Sequence, residues 1–336
     1  MARGAERAGQ RLALRALGRY KEALELDLRI HLGFRETFGE DHARTLSAAN
    51  NLAIDLRLAG DSEAARRLTE DIVRRRTALL GPTHPYTLAT KGHHARDLRD
   101  LGDYRTSAEL LREVREGFEQ VFNPGVPEVL QADKSLAVSL RKAGRTAEAL
   151  RITEETWKTY ARYHDRHGST LPEILACGLN LAADYFATDP EDGPARAVRQ
   201  VEEVLDEYQD SFGAEHPFTM YCFNNLAMYH RALGNTEKAE ELSRHARDCL
   251  AATLGDDHPA VCSAGLNLAN AYGDRGLYDH AERSEHQAVE GLRRRFGADH
   301  PDVLVGMGNL TITLRDKGHE ERVRSRRPPA VRRRAT

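Results

Sequence analysis

The chain has 336 residues, of which 30% are charged and only 6% are aromatic, and its formal net charge is −3. The charge is uneven, because seven arginines and no acid lie between Arg322 and Thr336, which leaves −10 for residues 1–321. No run approaches the roughly 18 apolar residues of a membrane span, and the four cysteines form no CxxC pair. These features exclude a transmembrane protein and a zinc- or disulfide-stapled domain, and they favour a helical cytoplasmic protein.

A glycine recurs along the chain in two series with a spacing of 42 residues. The glycines are Gly18, Gly60, Gly102 and Gly144, followed by Gly234, Gly276 and Gly318. The gap of 90 residues between the two series holds one degenerate copy, whose turn we place in ATDPEDGP, residues 187–194. A fixed period of this length is typical of a repeat array. The sequence predicts about eight antiparallel helix pairs, the first and last incomplete, at approximately residues 1–37, 38–79, 80–121, 122–165, 166–211, 212–253, 254–295 and 296–321.

Each copy begins and ends with the same signals. A His-Pro pair precedes the first helix, called helix A, because proline fits the first helical position. These pairs begin at His84, His216, His258 and His300, with His42-Ala43 as a variant. The glycine ends helix A, and a small residue five positions later allows the second helix, helix B, to cross closely. These small residues are Ala23, Ala65, Ser107, Ala149, Ala239 and Ala281.

The stretch Leu254 to Ala281, LGDDHPAVCSAGLNLANAYGDRGLYDHA, carries all of these signals. It resembles the tetratricopeptide repeat in the 42-residue form of kinesin light chains, and the resemblance covers roughly residues 9–321. Copies this rich in arginine and alanine are similar to those of actinobacteria. The resemblance implies a right-handed superhelical α-solenoid that binds a peptide or protein in a groove lined by the A helices and that is not normally catalytic.

One side of each helix A faces the predicted groove. If the turn glycine is position 15, then positions 4, 7, 8 and 11 cluster toward the core, and positions 2, 5, 9 and 13 face the groove. Position 6 borders the groove and is an asparagine in five copies: Asn51, Asn180, Asn225, Asn267 and Asn309. Their amides could bond to a peptide backbone, as the family resemblance implies, or within their own repeat. Asn270 and Tyr221 are further groove candidates.

Position 12 forms a column of arginines on the other border of the groove. The column contains Arg15, Arg57, Arg99, Arg141, Arg231 and Arg315. As a ladder of positive charge it could bind an acidic peptide or a terminal carboxylate. Alternatively, each arginine pairs with a nearby Asp or Glu inside the array, which we favour because position 12 borders the core.

The sequence contains no pattern typical of catalysis. It has no GxxxxGK[ST], GxSxG or HExxH segment, so we predict no catalytic residue, metal site or cofactor. The repeated histidines lie 42 residues apart and therefore cannot converge on one ion. The predicted protein is a non-catalytic interaction scaffold for a peptide or protein segment.

The sequence is compatible with several kinds of partner. The alternative function is that of a sensor array in a signalling (NB-ARC/STAND-type) ATPase or a peptide-responsive regulator. In that case the array would contact a missing N-terminal module. The expected partner is a protein or peptide, acidic if the arginine column binds it, and self-association is a further alternative. Neither a membrane nor a nucleic acid is the expected partner, since only a basic, disordered tail, residues 322–336, would contact nucleic acid.

Overall fold

The computed structural model describes residues 2–122, 125–167 and 172–325, with side chains for residues 9–122, 125–162 and 172–320. Fifteen α-helices occupy these ranges, and each packs against the next to form an array of antiparallel pairs. The helices are α1 Ala2–Ala16, α2 Tyr20–Phe38, α3 Ala43–Leu58, α4 Ser62–Leu80, α5 Pro85–Asp100, α6 Tyr104–Val121, α7 Pro127–Lys142, α8 Thr146–His167, α9 Pro172–Thr188, α10 Gly193–Phe212, α11 Pro217–Ala232, α12 Thr236–Leu254, α13 Pro259–Asp274, α14 Tyr278–Phe296 and α15 Pro301–Ser325. The prediction of an all-α solenoid is confirmed.

The repeated histidines start the A helices by a shared hydrogen bond. The Nδ1 atom of His258 accepts from the backbone N–H of Ala260, 3.2 Å away, and so satisfies a donor that the first helical turn leaves open. The same bond occurs at His42, His84, His216 and His300. The interpretation of these histidines as helix-start residues is therefore confirmed.

Small side chains lie where helices A and B cross. The six small residues that follow the turn glycines are at most 1% exposed. A larger side chain at these positions would push the paired helices apart, because protein interiors are close-packed. The recurring small residue therefore indicates that helices A and B of each pair pack closely.

The last helix differs from the sequence interpretation. We expected a turn at Gly318 followed by the start of another helix B, but α15 runs without a break from Pro301 to Ser325. Gly318 has no positive φ, and the residues after it, rich in Glu and Arg, are good helix formers. Helix α15 thus includes the first four residues of the predicted tail, and residues 326–336 lie outside the described residues.

The array curls back on itself, so that its last three pairs contact its first three. The Nε2–H of His258 donates to the carbonyl of Leu58, 3.1 Å away, and His300 makes the same bond to Asp100 at 3.2 Å. His216 approaches the carbonyl of Arg15 at 3.4 Å. These partners lie 200 or 201 residues apart, so five helix pairs, α1–α10, form the first turn of the superhelix, and α11–α15 begin the second turn.

Candidate binding groove

A cavity of about 380 Å³ lies between the first and second turns of the superhelix. We call it the inter-turn cavity. Six of the predicted groove residues line it: Arg57, Arg99, Tyr221, Asn267, Asn270 and Asn309. The A helices of both turns therefore contribute to one site, which the 42-residue register alone does not reveal.

The asparagines of position 6 do not all line the same cavity. Asn267 lies at the inter-turn cavity, and its Nδ2 donates to Oδ1 of Asn224 in the preceding pair at 3.0 Å. Asn51 lines a second, larger cavity in the first turn. Asn180 and Asn225 line neither of these two cavities. Ligand binding by these asparagines stays a prediction, and the structure gives Asn267 an additional role in joining neighbouring pairs.

Most of the arginine column is engaged in ion pairs between successive helix pairs. Arg57 pairs with Asp97 at 2.5 Å, and Arg141 pairs with Asp184 at 2.6 Å. Arg15 pairs in the same way with Asp55 at 2.5 Å. Each carboxylate comes from helix A of the next pair. The internal salt bridge, and not an open ladder of charge, is thus the arrangement found for these arginines.

The carboxylates of these ion pairs are completely buried. Asp55, Asp97 and Asp184 have exposures of 0%. Burial raises the pKa of Asp97, while the adjacent Arg57 and a hydrogen bond from the Thr69 hydroxyl, at 2.9 Å, act to lower it. Burial likewise raises the pKa of Asp184, opposed by Arg141. Sequence reasoning missed these aspartates, although each follows a column arginine by 40 to 43 residues.

Arg99 is the column residue that faces the inter-turn cavity without a buried carboxylate. Ser139 occupies the position that holds Asp55, Asp97 and Asp184 in the other pairs, and its hydroxyl bonds to that of Ser107 at 2.8 Å. Arg99 instead contacts the adjacent Asp100 at 3.2 Å, with 15% of its side chain exposed. Its guanidinium is therefore better placed than that of Arg57 to accept another anion.

The two remaining column arginines lie on the surface. Arg231 pairs with Asp274 at 2.7 Å, and 40% of the arginine side chain is exposed. Arg315 pairs with the adjacent Asp316 at 3.0 Å and is 68% exposed. Neither residue lines the inter-turn cavity.

Further polar groups complete the wall of the inter-turn cavity. Lys142 and Asp302 approach each other from the two turns, with 3.9 Å between Nζ and Oδ1. Burial, assisted by the charge of Asp100, raises the pKa of Tyr221 to about 12, so its hydroxyl stays protonated and can donate a hydrogen bond. The site thus offers amides, a hydroxyl and cations within one small space, together with the carboxylates of Asp100 and Asp302, each of which is paired with a cation.

The described residues hold no group of three or more His, Cys, Asp or Glu side chains that could bind a metal ion. None of the described helices is long and apolar enough to cross a membrane.

A superhelix of paired helices that encloses a cavity between its turns belongs to the helical-repeat, or solenoid, class of folds. Residues 12–78 match a family model of the tetratricopeptide repeat, and residues 219–260 and 261–302 match a second one. These three segments therefore carry tetratricopeptide repeats, as the sequence predicts. No curated protein matches the chain in sequence.

Two solved Rap structures share the fold. A Rap protein complexed with Competence and Sporulation Factor is 13% identical, with a TM-score of 0.63, covering 96% of this chain and 93% of that one. The Rap conjugation gene regulator of plasmid pLS20, in complex with the Phr* peptide, is 12% identical, with a TM-score of 0.54 and coverage of 95% and 94%. The kinesin-light-chain TPR-like repeats from Podosopora anserina are 25% identical, with a TM-score of 0.45 and coverage of 62% and 96%. The predicted actinobacterial affiliation is not supported by these matches and stays a prediction.

Proposed function

We propose that the chain is a non-catalytic scaffold that binds a peptide or protein segment carrying an acidic group, with that group in the inter-turn cavity. The observation that carries this proposal is the meeting of Asn267, Asn270 and Arg99 around one cavity. The amides suit a peptide backbone, and the guanidinium suits a carboxylate.

The size of the cavity limits what it can hold. Its volume of about 380 Å³ lies near the lower end of the range for small-ligand sites. It therefore fits one or two side chains, or a chain terminus, and the rest of the partner would lie along the A helices outside it. The two Rap proteins are complexed with Competence and Sporulation Factor and with the Phr* peptide, which supports peptide binding by a solenoid of this fold.

The test uses two arginines that have the same local pairing. Arg99 and Arg315 each pair with the aspartate that follows them, but only Arg99 lines the inter-turn cavity. A peptide selected from a random library with free C-termini should bind Arg99→Gln at least about tenfold more weakly than the unmodified protein, because a charge-assisted hydrogen bond is lost. Arg315→Gln should bind it unchanged, as measured by fluorescence anisotropy.

Salt gives a second measurement of the same interaction. If the ligand group is acidic, its affinity should fall as ionic strength rises. Recovery of no peptide, or equal affinity of Arg99→Gln and the unmodified protein, would overturn the proposal. The alternative of a sensor array for a signalling ATPase depends on a module outside this sequence and stays a prediction.

A further inference from the structure

Arg76 occupies a core position that is apolar or aromatic in the other helix pairs. Helices α2, α4, α10, α12 and α14 are the B helices of their pairs. In each of them this position lies four residues before the last residue of the helix. The equivalents of Arg76 are Phe34, Phe118, Tyr160, Tyr208, Leu250 and Leu292. Arg76 is only 5% exposed, so one repeat places a buried cation where five others place a large buried side chain and α2 places the partly buried Phe34.

The buried guanidinium of Arg76 has only neutral partners among the described residues. It donates to the carbonyl of Tyr86 at 2.8 Å, to the hydroxyl of Thr90 at 2.6 Å and to that of Ser47 at 3.3 Å. No described carboxylate forms an ion pair with it. Burial lowers its pKa, which reflects the cost of holding a charge away from water. An anion beside it would offset that cost.

A large cavity lies directly against Arg76. We call it the first-turn cavity; its volume is about 890 Å³, more than twice that of the inter-turn cavity. Apolar side chains of α2 and α4, including Ile30, Phe34 and Leu79, line it. So do three further arginines: Arg11, Arg29 and Arg44. Among the described residues its one lining carboxylate, Asp41, is already paired with Arg75 at 2.8 Å. Arg11 is itself paired with Asp27 at 3.5 Å, so Arg29, Arg44 and Arg76 are the lining cations without a described ion pair, and the wall is mainly apolar with an excess of positive charge.

A glycine in the middle of α2 enlarges the same cavity without a packing reason. A Cβ atom on Gly33 would meet nothing within 4 Å. At the equivalent positions in α6 and α14, a Cβ on Gly117 would lie 2.8 Å from Leu88, and one on Gly291 would lie 2.5 Å from Cys262. Those two glycines permit close packing, whereas Gly33 weakens its helix and leaves space.

We propose that the first-turn cavity binds an amphiphilic carboxylate, whose apolar body lies against Ile30, Phe34 and Leu79 and whose charged end pairs with Arg76. A fatty acid and the apolar C-terminal residues of a peptide share this chemistry. The site is separate from the inter-turn cavity and does not depend on the scaffold function proposed above.

The ligand class is tested by calorimetric titration with two acids and their neutral counterparts. The acids are decanoate and N-acetyl-Phe-Leu with a free C-terminus, and the counterparts are decanol and the peptide amide. At least one acid should bind, and its neutral counterpart should bind at least about tenfold more weakly. Preference for decanoate would identify a fatty-acid site, and preference for the peptide acid would identify a chain-terminus site. Binding of neither acid, or equal binding of acid and neutral forms, overturns the proposal.

Two variants locate the binding to this cavity. Arg76→Leu introduces the residue that α12 and α14 carry at this position, so the melting temperature should stay the same or rise while binding of the acid falls at least about tenfold. Gly33→Phe places a large side chain in the cavity without altering Arg76 and should also weaken binding. The matched control is Gly273→Phe in α13, where a Cβ again meets nothing within 4 Å and no cavity described here is touched. Full binding by Arg76→Leu, or by Gly33→Phe, overturns the proposal.

Discussion

Single charged residues join neighbouring helix pairs, and Asp97 is the clearest case. Its carboxylate is fully buried, and it accepts hydrogen bonds from both Arg57 of the preceding pair and the hydroxyl of Thr69. Ion pairs of this kind contribute little beyond an apolar replacement, but breaking one leaves an uncompensated buried charge. Removal of Asp97 would therefore destabilise the protein mainly because the charge of Arg57 would remain buried and uncompensated.

Asp97→Asn should lower the free energy of unfolding by about 3 kcal/mol, since Arg57 would keep its charge with only 13% of its side chain exposed. Urea denaturation followed by circular dichroism measures the change. The paired replacement Arg57→Met with Asp97→Leu should recover most of it, because neither charge then remains buried.

The exposed pair of Arg231 and Asp274 provides the control. Asp274→Asn should change stability by less than about 1 kcal/mol, because solvent screens a surface ion pair. Equal effects of the two aspartate substitutions would contradict a special role for burial at Asp97.

At the scale of elements, the glycine turns do more than end helix A. The prolines that start α11, α13 and α15 pack against the turns at Gly18, Gly60 and Gly102. A Cβ on Gly102 would lie 2.6 Å from Cδ of Pro301, whereas one on Gly276 would meet nothing within 4 Å. In the first turn of the superhelix, each of these glycine turns thus ends a helix of its own pair and also packs against the start of a helix five repeats later.

Gly102→Ala and Gly276→Ala separate these two roles. Both glycines have a positive φ, +91° and +72°, so alanine should cost about 1–2 kcal/mol at either position. Gly102→Ala should lose additional stability and increase the radius of gyration, because the methyl group displaces Pro301. Thermal melting and small-angle X-ray scattering measure both effects. Identical melting temperatures and radii for the two variants would show that the contact between turns contributes nothing.

His258 shows which part of the structure can be predicted from the sequence and which part cannot. The 42-residue register and the following proline correctly predict that His258 starts a helix, because that signal is local. Its second bond, to the carbonyl of Leu58, depends on the curvature accumulated over five helix pairs, and no single repeat encodes that curvature. The groove itself stays a prediction. The helical wheel places Asn267 at the border of the predicted groove and Asn270 on the side that faces it, and both line the inter-turn cavity, but the wheel does not identify the first-turn residues opposite them.

The arginine column shows a second limit. The wheel places Arg57 at the border of core and groove, which is consistent with either role. The choice depends on Asp97 in the next pair, and on whether that position holds an aspartate or, as opposite Arg99, the serine Ser139. Reading each pair together with its successor would have distinguished Arg99 from the others.

At the scale of the whole molecule, the contact between the two turns creates the inter-turn cavity. Arg57 and Arg99 reach the cavity from the first turn, and Tyr221 and Asn267 reach it from the second. Separation of the turns would therefore remove the site without unfolding any helix. Two of the histidines that bridge the turns, His216 and His258, couple this arrangement to pH.

The sign of that coupling follows from burial. Burial lowers the pKa of His216 and His258 below the ordinary value of about 6.5. The neutral rings accept at Nδ1 from the helix start and donate at Nε2 to the first turn. The stability that these rings contribute is therefore fully present above about pH 6.5 and is lost as pH falls through their lower folded-state pKa.

Acidification from about pH 7 to 5 should thus lower the melting temperature and increase the radius of gyration, as the turns separate. The double variant His216→Asn with His258→Asn keeps a side chain that can cap the helices but cannot be protonated in this range, so its stability should fall less with acid. His84→Asn is the matched control, because His84 caps α5 by the same bond to Tyr86 and makes no described contact with another turn. If His84→Asn reduces the acid sensitivity as much as the double variant does, the response arises from helix capping and not from the contact between the turns.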